Sequence, residues 1–336
     1  MVETGRDRAR RRLTFGSAFI ALLIALTGAW FSLAFWFQLP VSFLARVLCI
    51  ALLAVVAILL AAAQFTPQRW RGLAVFVVLV ALGGVWWSSI RPRLDRNWSA
   101  DVARTAEGTV KGNVVELRNV RDFEWRSETD FTERWQTEDY DLAKLDSIDL
   151  GLSYWGLPAI AHTLVSFGFT DGRHVVFSVG IRQEKGESFS EIGGFFKEFE
   201  LAFTAGTESD VLRVRTNIRK EDVYLYPLAI PAAGQRALFL SYVALANDLA
   251  RQPQFYNTLT ANCTTVVFDL VRQIDPGLPF DWRIVLTGYL PSYVQAHDGF
   301  VWKMPLDALR SRAAISAKAQ AADADGPEYS KAIRAK

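Results

Sequence analysis

Hydrophobic and polar positions follow two regimes along the chain. From residue 13 to residue 90 the sequence is almost continuously apolar; from residue 91 onward apolar residues alternate or recur at helical spacing. Three runs fill the first regime, at about 13–39, 41–65 and 72–90. Each is close to the roughly 20 residues that a helix needs to cross about 30 Å of hydrocarbon. Trp30, Trp36, Trp86 and Trp87 lie toward run ends, where interfacial aromatics collect. Arg46 sits one turn inside the second run, and its stem is long enough to return the guanidinium to the headgroups.

The second regime predicts strands first and helices later. The segments 114–120, 160–169, 174–181, 199–204, 211–216 and 223–228 are rich in β-branched and aromatic residues. Asp171-Gly172 is a hairpin signal between two of them. Leu238, Tyr242, Leu245, Ala246 and Leu249 then recur at helical spacing, with Pro253 beyond the end. A second helix is predicted from Cys263 to Ile274, stopped by Asp275-Pro276-Gly277. This is an α+β pattern with an antiparallel sheet and packed helices. The divisions expected are a basic tail at 1–12, three membrane helices within 13–90, a polar connector at 91–108 and a domain at 109–310. The Ala-, Lys- and Asp-rich stretch 311–336 reads as a frayed or disordered tail.

Charge sharpens the division. Residues 13–90 carry only Arg46, Arg69 and Arg71, whereas 62 of the 246 residues from 91 onward are charged. A fully soluble enzyme, a disordered scaffold and a disulfide-dense secreted domain are thereby excluded. The +3 of residues 1–12 and the Arg69/Arg71 loop predict a cytoplasmic N-terminus, and three spans then place the rest on the outer face of a bacterial inner membrane. Arg91, Arg93 and Arg96 oppose this orientation weakly. A cleaved signal peptide is the competing reading of the first run, but its apolar stretch is too long and two more spans follow. No acidic residue or His lies in the spans, so they predict an anchor and not a transport pathway. The domain's net charge of −4, with signs interspersed, argues against a nucleic-acid partner.

Two cysteines divide in the same way, Cys49 in the second span and Cys263 alone in the domain. A lone thiol in an oxidising compartment is either a small buried hydrophobe or a working group. Asn262 is a suitable N-cap, which would put Cys263 at the first position of its helix. The macrodipole there would lower the thiol pKa, and unpaired N–H groups would suit an oxyanion. Thr264 and Thr265 make the surroundings small and polar. Of the three histidines, His162 lies on an apolar strand, as a satisfied core group or a positioned base. His174 at its turn is expected to be a solvated surface residue, and His297 a loop residue held in reserve. No metal-ligand spacing, phosphate loop or cofactor motif is present, so neither a cofactor nor a metal is expected.

These residues carry a resemblance. Tyr256-Asn257-Thr258-Leu259-Thr260-Ala261-Asn262-Cys263-Thr264-Thr265, Ile160-Ala161-His162-Thr163 with Phe167-Gly168-Phe169, and Arg118 to Phe123 are similar, in order, to the Lnb-type periplasmic domain family. Ser178, Arg182 and the segment Val223 to Pro227 extend the likeness over roughly residues 110 to 300. The family's namesake is a bacterial lipoprotein N-acyltransferase. The resemblance implies a permuted papain-like domain, a thioester on Cys263 and His162 as base. Lecithin-retinol acyltransferases have a comparable Asn-Cys start to the nucleophile helix. The polar residue that orients the base is not assignable from the sequence: Asn262, Thr264, Ser178 and Arg182 are candidates for orienting or oxyanion support, and a one-residue slip in register would flip the face of Ser178 and Arg182 together. Three N-terminal spans depart from the namesake's architecture. Three functions remain open at this point: an acyltransferase or acyl hydrolase on lipid-borne or lipoprotein substrates, a cysteine peptidase or amidase, and a non-enzymatic envelope binding or assembly module. The oligomeric state is not legible.

Overall fold

The computed structural model describes residues 5–335, with side chains from residue 15 onward. The first four residues of the basic tail, and the side chains of the rest of it, lie outside the described residues. The chain divides into two units, one of residues 1–92 with 196–198 and one of 93–195 with 199–336.

The first unit is built on α1 (Gly5–Gln38), α2 (Phe43–Ala63) and α3 (Arg69–Ser89). Among the described residues these are the helices long and apolar enough to cross a membrane. Ser42 caps α2, its hydroxyl accepting from the Ala45 N–H. The Arg46 guanidinium turns back to the Leu39 carbonyl at 3.1 Å. Small residues let the helices approach: a Cβ on Gly28 would lie 2.8 Å from that of Ala57. Leucines, valines and phenylalanines of all three helices are exposed, as a lipid-facing surface requires.

The second unit holds β1 (Glu107–Lys111), β2 (Val114–Arg121), the two-residue strands β3 (Glu124–Trp125) and β4 (Phe131–Thr132), β5 (Trp135–Asp141), β6 (Leu145–Tyr154), β7 (Ala161–Phe169), β8 (His174–Arg182), β9 (Glu200–Gly206), the short helix α4 (Glu208–Val211) and β10 (Asp222–Pro227). Its remaining helices are α5 (Ala232–Arg251), α6 (Thr265–Ile274), α7 (Trp282–Val285), α8 (Leu290–Ala296), α9 (Leu306–Ala313), α10 (Ser316–Ala322) and α11 (Gly326–Arg334). Eight of the described strands form one sheet in the order β1-β2-β9-β8-β7-β6-β10, with β5 also on β2. All pairings are antiparallel except β2 with β9. The fold is mixed α and β with an antiparallel-dominated sheet. Gly172, at φ +85°, supplies the left-handed residue of the β7–β8 turn.

Strand alternation sorts the side chains onto two faces. Val165, Phe167, Val175, Phe177 and Phe203 meet Phe239 and Tyr242 of α5 and Val267 and Leu270 of α6 in one core. Leu164, Val176, Val223 and Leu225 face the other way and meet Val211, Leu212, Ile315, Ala319, Tyr329 and Ile333. Two expectations fail here. Segment 211–216 is helical, comprising the end of α4 and a π-helical turn at Val214–Ile218. Val211 and Leu212 bury against the sheet's second face instead of joining it, and Val214 packs on Phe123 and Trp125. The stretch 311–336 is not a tail through its described residues: α10 and α11 cover that same face, with Tyr329 fully buried. A few well-spaced apolar residues suffice where a hydrophobic face already awaits a cover. The 91–108 connector is packed as well, since Trp98 bridges to Glu184 and is 7% exposed.

One irregularity in the sheet matters for function. The β7–β8 ladder stops at Leu164↔Ser178. Beyond it, β7 stays with β6 out to Ala161, and β8 stays with β9 out to Arg182. Two strands that were neighbours each keep a partner on the far side, and the gap between them is where a cleft opens.

Candidate active site

His162 lies on β7 just past the point where the ladder ends, on the face of Leu164 and Ser166. Ser178, opposite Leu164, shares that face, so the register question resolves in its favour: the imidazole Nε2 and Ser178 Oγ are 2.9 Å apart. Gly180, the next residue of β8 on that face, gives the ring room. A Cβ there would sit 3.6 Å from His162 Cε1. Arg182 does not support the base. Its Nε donates to the Val102 carbonyl and its Nη2 to that of Ala103, with the guanidinium over Trp98. It holds the 91–108 segment onto the sheet.

Cys263 comes from the turn that leads into α6. The regular helix starts at Thr265, two residues later than the sequence predicts, yet Asn262 does cap the turn. Its Oδ1 accepts from the Thr264 and Thr265 N–H groups, both at 2.9 Å, and its Nδ2 donates to the Thr258 carbonyl. That capping removes most of the free donors expected for an oxyanion. The Cys263 N–H makes no hydrogen bond to an oxygen acceptor among the described residues. The buried hydroxyls of Thr163 and Thr264 meet at 2.7 Å, which ties the turn to the strand residue beside His162. Removing one hydroxyl strands the other away from water. A Thr163→Val substitution is therefore expected to cost about 1–3 kcal/mol, read as a lower thermal unfolding midpoint. The Thr163→Val/Thr264→Val double variant should recover part of that loss.

The electrostatics reverse one expectation. Burial pushes the Cys263 thiol pKa up, and contacts with Thr163 and Thr264 pull it back only in part. The cap that was expected to present a helix dipole instead consumes the dipole's donors. His162 is held well below its ordinary 6.5, first by burial and then by the positive charges of Arg215 and Arg219. Both groups are thus neutral at rest. Sγ lies 3.8 Å from Thr264 Oγ1, and no hydrogen bond joins it to the imidazole among the described residues. The two side chains instead open onto one cleft of about 590 Å³, together with Ser178, Gly180, Tyr256 and Asn262.

Residues 131–288 match the family model for the Lnb N-terminal periplasmic domain. The folded unit carries an Lnb-type periplasmic domain. No curated protein and no solved structure matches the chain. With three helices apolar enough to span a bilayer, this is a membrane-anchored periplasmic protein with a role at the cell envelope.

The other histidines of the Lnb-type unit stand apart from the cleft. His174 is not the solvated residue expected. It is 13% exposed, beside Glu208, with Nδ1 against the Gly172 carbonyl, and burial lowers its pKa. His297 places Nδ1 2.9 Å from the Tyr293 carbonyl and its ring against Tyr293. Sequence reasoning missed Tyr256, Arg215 and Arg219. Tyr256 is 7% exposed and lines the cleft, burial raises its pKa, and its hydroxyl makes no hydrogen bond among the described residues. It opens the very motif that ends in Cys263, which was the available signal. Arg215 and Arg219 sit on the π-helical turn, where no sequence pattern marks them. Among the described residues no group of three His, Cys, Asp or Glu could hold a metal ion.

Proposed function

We propose that the Lnb-type domain transfers or hydrolyses acyl groups through a thioester on Cys263, acting on lipid-borne or lipoprotein esters at the outer face of the inner membrane. The N-terminus of the chain is then cytoplasmic. One observation carries the reading: a cysteine leading an Asn262-capped turn and a histidine held by Ser178 open onto the same cleft. The order, with the histidine strand before the cysteine turn, is the order of permuted papain-like enzymes.

In the proposed cycle His162 is the base. Its Nε2 is held by Ser178, leaving Nδ1 as the nitrogen that meets the thiol once the ring swings across the cleft. A neutral imidazole beside a neutral thiol calls for proton transfer during attack and not from a standing ion pair. Sγ bonds to the ester carbonyl carbon, the C–O bond breaks, and the thiol proton leaves with the alcohol by way of His162. An amine or water then takes the acyl group and returns a proton to the thiolate. The Cys263 N–H and the Tyr256 hydroxyl are the donors left to hold the oxyanion. Ser178 is a hydroxyl beside a base too, and its 2.9 Å contact with Nε2 gives it the part of orienting the ring.

Full-length protein purified from membranes and digested should yield the Cys263 peptide with an acyl adduct that neutral hydroxylamine removes. A Cys263 peptide that stays unmodified after incubation with a lipid ester, while the ester remains intact, overturns the reading. Release of free amine from envelope extracts without fatty acid would point to amidase chemistry.

A further inference from the structure

The cleft has a second chemical character besides the thiol and the imidazole. Arg215 and Arg219 project into it from the π-helical turn, near enough to His162 to depress its pKa. A guanidinium carries five N–H donors. Of all those on the two arginines, only Arg215 Nη1 is hydrogen-bonded among the described residues, to the Val211 carbonyl at 2.8 Å. Glu221 lies between them, 3.9 Å from each guanidinium and outside hydrogen-bond range; its Oε2 instead accepts from Ser153. Glu128 lies 3.8 Å from Arg219 and is itself largely exposed. Arg215 is only 13% exposed, so its unused donors face the cleft and not open water.

The turn that carries them is fixed from behind. The Asp210 carboxylate accepts from Arg121 Nε and Nη2, the Phe123 N–H and Trp125 Nε1, all at 2.8–2.9 Å. That network fully occupies the carboxylate that could have neutralised Arg215. At the rim the lining changes: Trp155, Phe189, Leu259 and Leu286 are each more than 40% exposed and line the same cleft. The lining also carries Asp101, Glu128, Glu191 and Glu221, so the match is local: exposed apolar groups around two guanidinium groups with unused donors suit an amphiphile with an anionic head and an acyl tail. Three membrane helices in the same chain put such molecules within reach.

We infer that the cleft takes a membrane glycerophospholipid, with its headgroup phosphate on Arg215 and Arg219 and its acyl chains along Trp155, Phe189, Leu259 and Leu286. The chemistry after binding rests on the acyl-transfer reading. Sγ of Cys263 attacks the acyl ester, the C–O bond breaks, and the lysophospholipid leaves with the thiol's proton relayed by His162. The phosphate has a second effect. By offsetting the two arginines it removes the repulsion that disfavours imidazolium, so the substrate strengthens its own base.

The test uses the full-length protein in a neutral detergent, with maleimide labelling of Cys263 as readout. Dioctanoyl phosphatidylglycerol, dioctanoylglycerol and inorganic phosphate are compared as protectants. The phospholipid is expected to protect at a concentration at least about tenfold below that of the diacylglycerol. Arg215→Gln or Arg219→Gln should each raise the protective concentration about tenfold, with Arg219→Gln, on the more exposed residue, guarding against a folding defect. Equal protection by dioctanoylglycerol, or protection by phosphate alone at the same concentration, overturns the inference. Mass analysis of Cys263 in the same samples separates the two proposals. Selective protection without any acyl adduct keeps the phospholipid site and removes the thioester; an adduct formed equally from both lipids does the reverse.

Discussion

Replacing Cys263 with alanine is expected to abolish acyl transfer, by about 10⁴-fold or more in kcat, while the thermal unfolding midpoint barely moves. The measurement is fatty-acid release or transfer from a lipid ester by the full-length protein. Without Sγ no covalent intermediate forms, and the cleft lining holds no second cysteine among the described residues. Serine should not rescue it. A hydroxyl is harder to deprotonate than a thiol already pushed up by burial, and His162 is a weak base. His162→Gln should cost about 10²–10⁴-fold. The acid side of the pH profile follows from the same geometry. The base must be neutral to act, and its pKa lies well below 6.5. kcat/KM, which reports the free protein, is therefore expected to hold from neutrality down past pH 6.5 and to fall only on stronger acidification. Full activity of the Cys263→Ala variant, or an acid limb centred at or above 6.5, would contradict the assignment.

What the sequence made legible has a physical pattern. The three spans were readable because a bilayer demands an unbroken apolar run of fixed length, and α1 to α3 occupy those runs. Strands β2, β7, β8, β9 and β10 were readable from β-branched runs, and the β7–β8 turn from Asp171-Gly172. Asn262 could be read as a cap because a cap acts over three residues. Effects that depend on distant residues were not readable. The rise in the Cys263 pKa comes from burial by the whole fold, and the dipole argument saw only the local turn. Ser178 and Arg182 share a strand face, and only the end of the ladder at Leu164↔Ser178 and the contacts of Arg182 with the 91–108 segment tell them apart. Segment 211–216 has strand composition but was captured as helix by the sheet face it covers. The termination of the β7–β8 ladder, which creates the cleft, leaves no local mark. Nor does the arrival of two arginines beside His162.

The C-terminal stretch offers the second large effect, and it lies far from the cleft chemistry. Arg334 on α11 donates to both oxygens of Glu208 and to Asp149, each at 2.7 Å. Glu208 is 1% exposed and Asp149 5% exposed, so neither carboxylate has water to turn to. Arg334→Met is expected to destabilise the unit by about 3–5 kcal/mol, because it leaves a buried carboxylate unpaired. Thermal or urea unfolding of the full-length protein reads it. Lys331→Met, one turn earlier, breaks only an exposed pair with Glu328 and should cost no more than about 1 kcal/mol. Equal effects of the two variants would restore the view of this stretch as a tail. The pH dependence has a definite sign. Arg334 holds Glu208 at about 2, below its ordinary 4.5, so its contribution is full above 4.5 and is lost as pH falls toward 2. Asp149 is pushed the other way by burial and offsets part of this. Adding Glu208→Gln to Arg334→Met should therefore recover stability near neutral pH, since it removes the charge that the arginine was neutralising. The recovery should shrink as acid protonates Glu208 in the single variant, because there the two proteins carry the same charge.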